Sequence, residues 1–296
     1  MSARRRRRRQ ARRAGCAVGV AVGTLAVGVA AVLWFLGQTH PPEPVAERCV
    51  ATVDGTGWAL SPGQADNAAL IAAVGVSREL PARAVTIALA TAMQESKLVN
   101  VTYGDRDSLG LFQQRPSQGW GTVAQVQDPV FATGTFYDHL VQVPGYRDLP
   151  ITEAAQAVQR SGFPEAYAQH EGTSRAWSSA LTGYSPGALT CTLQDAAPTT
   201  PDAVVARIHR DLGDVPVQVT PTDGGATLTF PTDAVTSVDD SGQRDWALAH
   251  WAVAVAQPLG LTSVSVGDQT WDRGTGTWAP STAPIPPGTV SLTIAT

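Results

Sequence analysis

Eight arginines crowd the first 13 residues, and the 24 residues that follow, 14–37, carry no charge. At 1.5 Å per residue such a helix spans roughly 36 Å, enough to cross a hydrocarbon core of about 30 Å. The sequence therefore predicts one transmembrane helix at 14–37. Arginines on its N-terminal side belong in the cytoplasm by the positive-inside rule, which places the rest of the chain outside the cell membrane as a single-pass protein. The alternative is a cleaved secretory signal. Its apolar core usually runs about 7 to 15 residues, whereas here Trp34, Phe35 and Leu36 prolong the run.

Past residue 13 the chain holds 13 basic against 25 acidic residues, a balance of −12. A basic surface for nucleic acid is thereby excluded. A hydrophobic content of 43% excludes wholesale disorder. Of the three cysteines, Cys16 falls within the expected membrane helix, which leaves Cys49 and Cys191 as the one extracytoplasmic pair within a chain. Closing a loop of that length stabilises by on the order of 5 kcal/mol in the chain-entropy account.

A Pro-rich stalk at 38–45 and a turn-rich linker at 195–201 delimit domains at 46–194 and 202–296. The expected class is α+β overall. Periodicity in the first domain predicts helices at 61–74, 81–99, 128–141 and 151–159, a short turn at 164–170, and a glycine-punctuated loop at 100–121. The second domain alternates helix (202–212), strands (215–220 and 226–230), helix (244–259) and strands (262–266 and 290–294), the pattern of a small two-layer α+β domain.

Glu95 closes an otherwise uncharged helical run from Val85 to Gln94, about one, two and three turns beyond Ala92, Ala88 and Ala84. A carboxyl aimed at apolar surroundings has a raised pKa, which a general acid needs near neutral pH. A solvated helix-end glutamate is the plain alternative, and its company argues otherwise. Glu95-Ser96, then after thirteen intervening residues Gly110-Leu111-Phe112-Gln113, then Pro116, resembles the Glu-Ser and Gly-Leu-Met-Gln…Pro signatures of soluble lytic transglycosylases in the lysozyme superfamily. The longer run from Gly104 to Gly121 resembles the lysozyme-like domain common in cell-wall proteins of high-GC Gram-positive bacteria.

The resemblance implies that Glu95 is the general acid/base and that Ser96 orients it. It further implies that Gly110 and Gln113 meet the sugar, with Ser108 and Gln114 as further cleft-wall candidates. The family's Ala-Tyr-Asn signature with a following glycine has its counterpart in Ala157-Val158-Gln159-Arg160-Ser161-Gly162. Val158 replaces the tyrosine and Gln159 the asparagine, so the missing phenol falls to Tyr167, or Tyr167 is a core aromatic. A transglycosylase uses one acid/base and lets the sugar's C6 hydroxyl attack, whereas a hydrolase needs a second carboxylate. Asp107, and after it Asp105, are the candidates.

The segment from Asp245 to Trp271 resembles the small accessory domain that follows such lysozyme-like modules in actinobacterial secreted proteins. Trp246, Ala249 and Val253 fall at helical spacing and should face the core, while Trp271 and Trp278 either stack on sugars or pack inside. His139, His170, His209 and His250 lack zinc-site spacing, and neither a Gly-x-Ser-x-Gly elbow nor a P-loop occurs. The expectation is a membrane-anchored peptidoglycan glycosidase, needing no metal or cofactor, that cleaves the β-1,4 link between N-acetylmuramic acid and N-acetylglucosamine. Its partners would be glycan strands, the membrane through the N-terminal helix, and a protein bound by the accessory domain. The alternatives are a muramidase that uses Asp107 and a catalytically silent peptidoglycan-binding scaffold.

Overall fold

The strand Arg48–Val53 (β1) turns into Thr56–Leu60 (β2) through Asp54 and Gly55, whose φ angles of 50° and 74° are the two positive values of a type I′ hairpin turn. The computed structural model describes residues 27–34, 46–160 and 164–295. Residues 27–34 are helical, and no helix among the described residues is long and apolar enough to cross a membrane. The Arg-rich segment at 1–13, the stalk at 38–45 and the rest of the membrane span expected at 14–37 lie outside the described residues, as do Ser161 and Gly162.

Helix α1 (Pro62–Ser77) begins with a capping box. Ser61 Oγ accepts from the Gln64 amide at 3.3 Å while Gln64 Oε1 accepts from the Ser61 amide at 3.0 Å, and Pro62 occupies the first turn. Its residues from Ala68 to Val76 are all buried, as suits a helix that is apolar on every side. Around it pack α2 (Ala82–Ser96), α4 (Pro129–Leu140), α6 (Glu171–Leu181), α7 (Pro201–Leu212) and α8 (Ser241–Ala254). Two short helices, α3 (Val123–Gln127) and α5 (Ile151–Gln159), complete the helical part, with 3₁₀ turns at Pro116–Gln118 and Pro164–His170.

Strand β3 (Leu189–Thr192) pairs antiparallel with β1, giving a sheet of order β2-β1-β3 in which Cys49 stands opposite Cys191. Those two cysteines form the expected disulfide. The C-terminal region forms a second antiparallel sheet from β4 (Gln218–Thr222), β5 (Gly225–Pro231), β6 (Leu261–Val266), β7 (Gln269–Asp272), β8 (Thr277–Pro280) and β9 (Thr289–Ala295), in the order β4-β5-β9-β6-β7-β8. Alternate residues Ala226, Leu228 and Phe230 of β5 and Val290, Leu292 and Ile294 of β9 face inward beneath α8. The α+β class thus holds, and the sheets also contain β1, β2, β3, β7 and β8, which periodicity left unassigned.

Residues 46–295 belong to one compact unit with a continuous core. Helix α8 is packed against α1 and α6 on one side and against β6 and β9 on the other. Asp211 fixes a polar knot at this junction. Its buried carboxylate accepts from Arg207 at 2.7 Å, Arg210 at 2.8 Å and the Trp251 indole at 3.0 Å, while Arg207 also pairs with Asp66 on α1. Trp271 is fully buried in β7, and Trp278 donates its indole N–H to the Leu189 carbonyl at 2.8 Å, so both belong to the interior packing.

Candidate functional site

Helix α2 stops at Ser96, one residue after Glu95, because Lys97 and Leu98 adopt left-handed φ angles of 56° and 58°. The Leu98 amide reaches back to the Ala92 carbonyl at 3.1 Å, and the Lys97 amide to Met93 at 3.0 Å, the latter being the bond of an αL closure built without glycine. The next carbonyls are taken by α1. Gln64 donates its amide to Lys97 O at 3.0 Å and Asn67 to Leu98 O at 2.8 Å. The turn that carries Glu95 is thereby pinned from two sides.

Glu95 is half-buried and lines a cleft of about 1170 Å³. Burial raises its pKa above 4.5, against the opposing pull of hydrogen bonds from Tyr167 and Gln159. Its place in the last turn of a helix, where a negative charge meets the negative end of the macrodipole, works in the same direction as burial. The Tyr167 hydroxyl donates to Glu95 Oε1 at 2.7 Å from a fully buried ring. Tyr167 is therefore a core aromatic whose phenol reaches the candidate acid. Gln159, at the end of α5, also donates to the Phe112 carbonyl at 2.7 Å, and so joins the acid to the Gly-Leu-Phe-Gln loop. Ser96 ties the same loop to the helix end, its Oγ lying 2.8 Å from Leu111 O and 3.1 Å from Ala92 O.

The loop residues divide sharply. Ser108 and Gln113 line the cleft with Glu95. Gln113 has a φ of 49° and turns its amide inward, to Tyr103 O at 3.2 Å and Gly110 O at 3.3 Å. Gly110 has a φ of 77°, and a Cβ there would stand 2.5 Å from the Val126 carbonyl, so the close approach it permits is to α3. Gln114 is 1% exposed and donates to Ala132 O at 2.9 Å, a packing position outside the cleft lining.

The two aspartates differ as well. Asp107 accepts from Arg115 Nε at 2.9 Å, the Ser117 amide at 2.8 Å and the Ser117 hydroxyl at 3.0 Å. These bonds, the Ser117 backbone amide foremost, hold its carboxyl far below the usual carboxylate range, which makes it a weak proton acceptor. Asp107 is absent from the cleft lining. Asp105 does line the cleft, exposed, with Arg106 3.8 Å away.

Sequence reasoning gave neither Trp120 nor His139 a place in the cleft. Both line the cleft with ring centroids 4.4 Å apart, Trp120 from a Gly-Trp-Gly turn and His139 from the last turn of α4. Among the described residues no cluster of three or more His, Cys, Asp or Glu is arranged to hold a metal ion. No protein-family model and no curated protein matches the sequence.

Proposed function

We propose that this chain is a membrane-anchored peptidoglycan glycosidase, working by the lytic transglycosylase route with Glu95 as its single acid/base. The observation that carries the reading is the half-buried Glu95 in a cleft of about 1170 Å³, its pKa raised by burial and its carboxyl held by a phenol. In the first half of the reaction the Glu95 carboxyl gives its proton to the glycosidic oxygen as the C1–O bond breaks. In the second, the C6 hydroxyl of the same muramic acid attacks C1 and returns its proton to Glu95, which closes the 1,6-anhydro ring and regenerates the acid. The engagement of Asp107 with Arg115 and Ser117 supports a single-carboxylate mechanism. The uncharged run at 14–37 supports anchoring.

A hydrolase reading draws on Asp105, exposed in the same cleft and open to water. Mass spectrometry of muropeptides released from purified peptidoglycan separates the readings. Anhydro ends that vanish in Glu95→Gln are the expected result, reducing ends that vanish in Asp105→Asn indicate hydrolysis, and glycan binding without any release indicates a silent scaffold.

A further inference from the structure

Acid–base chemistry at Glu95 makes no use of the aromatic part of the cleft. Trp120 packs against the hydrophobic core on one side and lines the cleft on the other. Its indole N–H has no acceptor among the described residues; that of Trp271 has none either but is sealed in the core, and those of Trp177, Trp251 and Trp278 are bonded to Trp58 O, Asp211 and Leu189 O. His139 is exposed, its ring is inclined 44° to the indole, and its nitrogens likewise have no partner among the described residues. The exposed carboxamides of Gln118 and Gln142 line the same space.

The local backbone is built to present this pair. Trp120 stands between Gly119 and Gly121, with φ angles of 84° and 136°, values that other residues seldom adopt. A Cβ on Gly121 would come 3.0 Å from the Phe131 ring, so the turn also needs glycine for space. The preceding 3₁₀ turn, Pro116–Gln118, is held by Asp107 through both the amide and the hydroxyl of Ser117. A mixed indole and imidazole surface with an unspent N–H, beside two carboxamides, suits the hydroxyl or N-acetyl groups of a pyranose.

We propose that Trp120 and His139 form a saccharide subsite separate from the Glu95 centre, which seats another N-acetylhexosamine ring of the strand and so fixes where the strand is cut. This rests on the reading of the cleft as a glycan groove. The test uses the full chain carrying Glu95→Gln, which blocks turnover, titrated with the tetrasaccharide (GlcNAc–MurNAc)₂ by calorimetry and tryptophan fluorescence. Adding Trp120→Ala should weaken binding by about tenfold or more, and Trp120→Phe, which keeps a ring but loses the N–H, should restore only part of it. With Glu95 restored, Trp120→Ala should raise KM for the same tetrasaccharide about tenfold and leave kcat within about twofold. Unchanged affinity in a folded Trp120→Ala chain overturns the subsite and leaves the glycosidase reading intact. A folded parent that binds no tetrasaccharide and releases no muropeptides overturns both.

Discussion

A carboxyl that must be protonated before it acts gains from every neighbour that resists its ionisation and loses from every donor that favours it. At Glu95 burial outweighs the donors, and the Tyr167 hydroxyl is the donor in direct contact. Activity should fall as pH rises through the raised pKa of Glu95, since the acid is then lost. Tyr167→Phe removes a bond that stabilises the carboxylate, so that alkaline limb should move to higher pH while kcat falls by about tenfold as the carboxyl loses its orientation. A pH–rate profile of the variant with the limb in its original place would remove Tyr167 from the acid's environment. Glu95 stood out in the sequence because the Glu-Ser and Gly-Leu-Phe-Gln runs accompany a lone carboxylate at the end of an apolar helix. Tyr167 was a candidate for its phenol in the sequence but could not be told from a core aromatic, because 72 residues separate the two and the packing of α2 against the Pro164–His170 turn brings them together.

Among the elements, the loop from Asp105 to Gly121 divides its labour between Glu95 and the aromatic pair. Asp107→Asn loses the charge that binds Arg115 and the Ser117 amide, which loosens the 3₁₀ turn. Turnover should nevertheless stay within about tenfold of the parent, with the alkaline limb unmoved, whereas loss of an essential second carboxylate would cost about a thousandfold or more. Single-turnover cleavage of the tetrasaccharide distinguishes the two outcomes. Helices with clear starts, such as α1 and α4, follow from their caps and periodicity. Helix α6 did not, because Ser174, Ser178 and Ser179 dilute its apolar stripe. Those small side chains press it close to α2, where Ser178 donates to Ala82 O at 2.7 Å. The β1–β2 hairpin did leave a signal, Asp54-Gly55 between two Thr/Val-containing segments, and that signal was readable.

For the molecule as a whole, the joint between its helical and sheet halves contains a histidine that responds to acid. His250 is fully buried on α8, and its Nδ1 lies 2.8 Å from the Ala180 carbonyl, so Nδ1 carries the proton of the neutral ring. The imidazole packs beside Trp246 and Trp278, and burial lowers its pKa from 6.5 to about 4. The stability gained from keeping it neutral is complete above pH 6.5 and drains away as pH falls toward about 4, by roughly 3 kcal/mol. His250→Asn, whose amide can mimic Nδ1–H without titrating, should flatten that acid limb in denaturant melts collected across this window. An unaltered slope would assign the limb to other groups.

The same joint bears on how such a chain can be rearranged. A Cβ on Gly183 would lie 1.9 Å from the Gln243 carbonyl, and one on Gly276 would lie 2.9 Å from the Cys191 carbonyl, so the halves meet backbone to backbone. A chimera that grafts the helical half onto a foreign C-terminal half would have to reproduce those contours, because its α1 and α6 would otherwise offer α8's apolar footprint to water. Recombination between relatives should therefore exchange the two halves as a single cassette, with tolerated crossovers falling before β1.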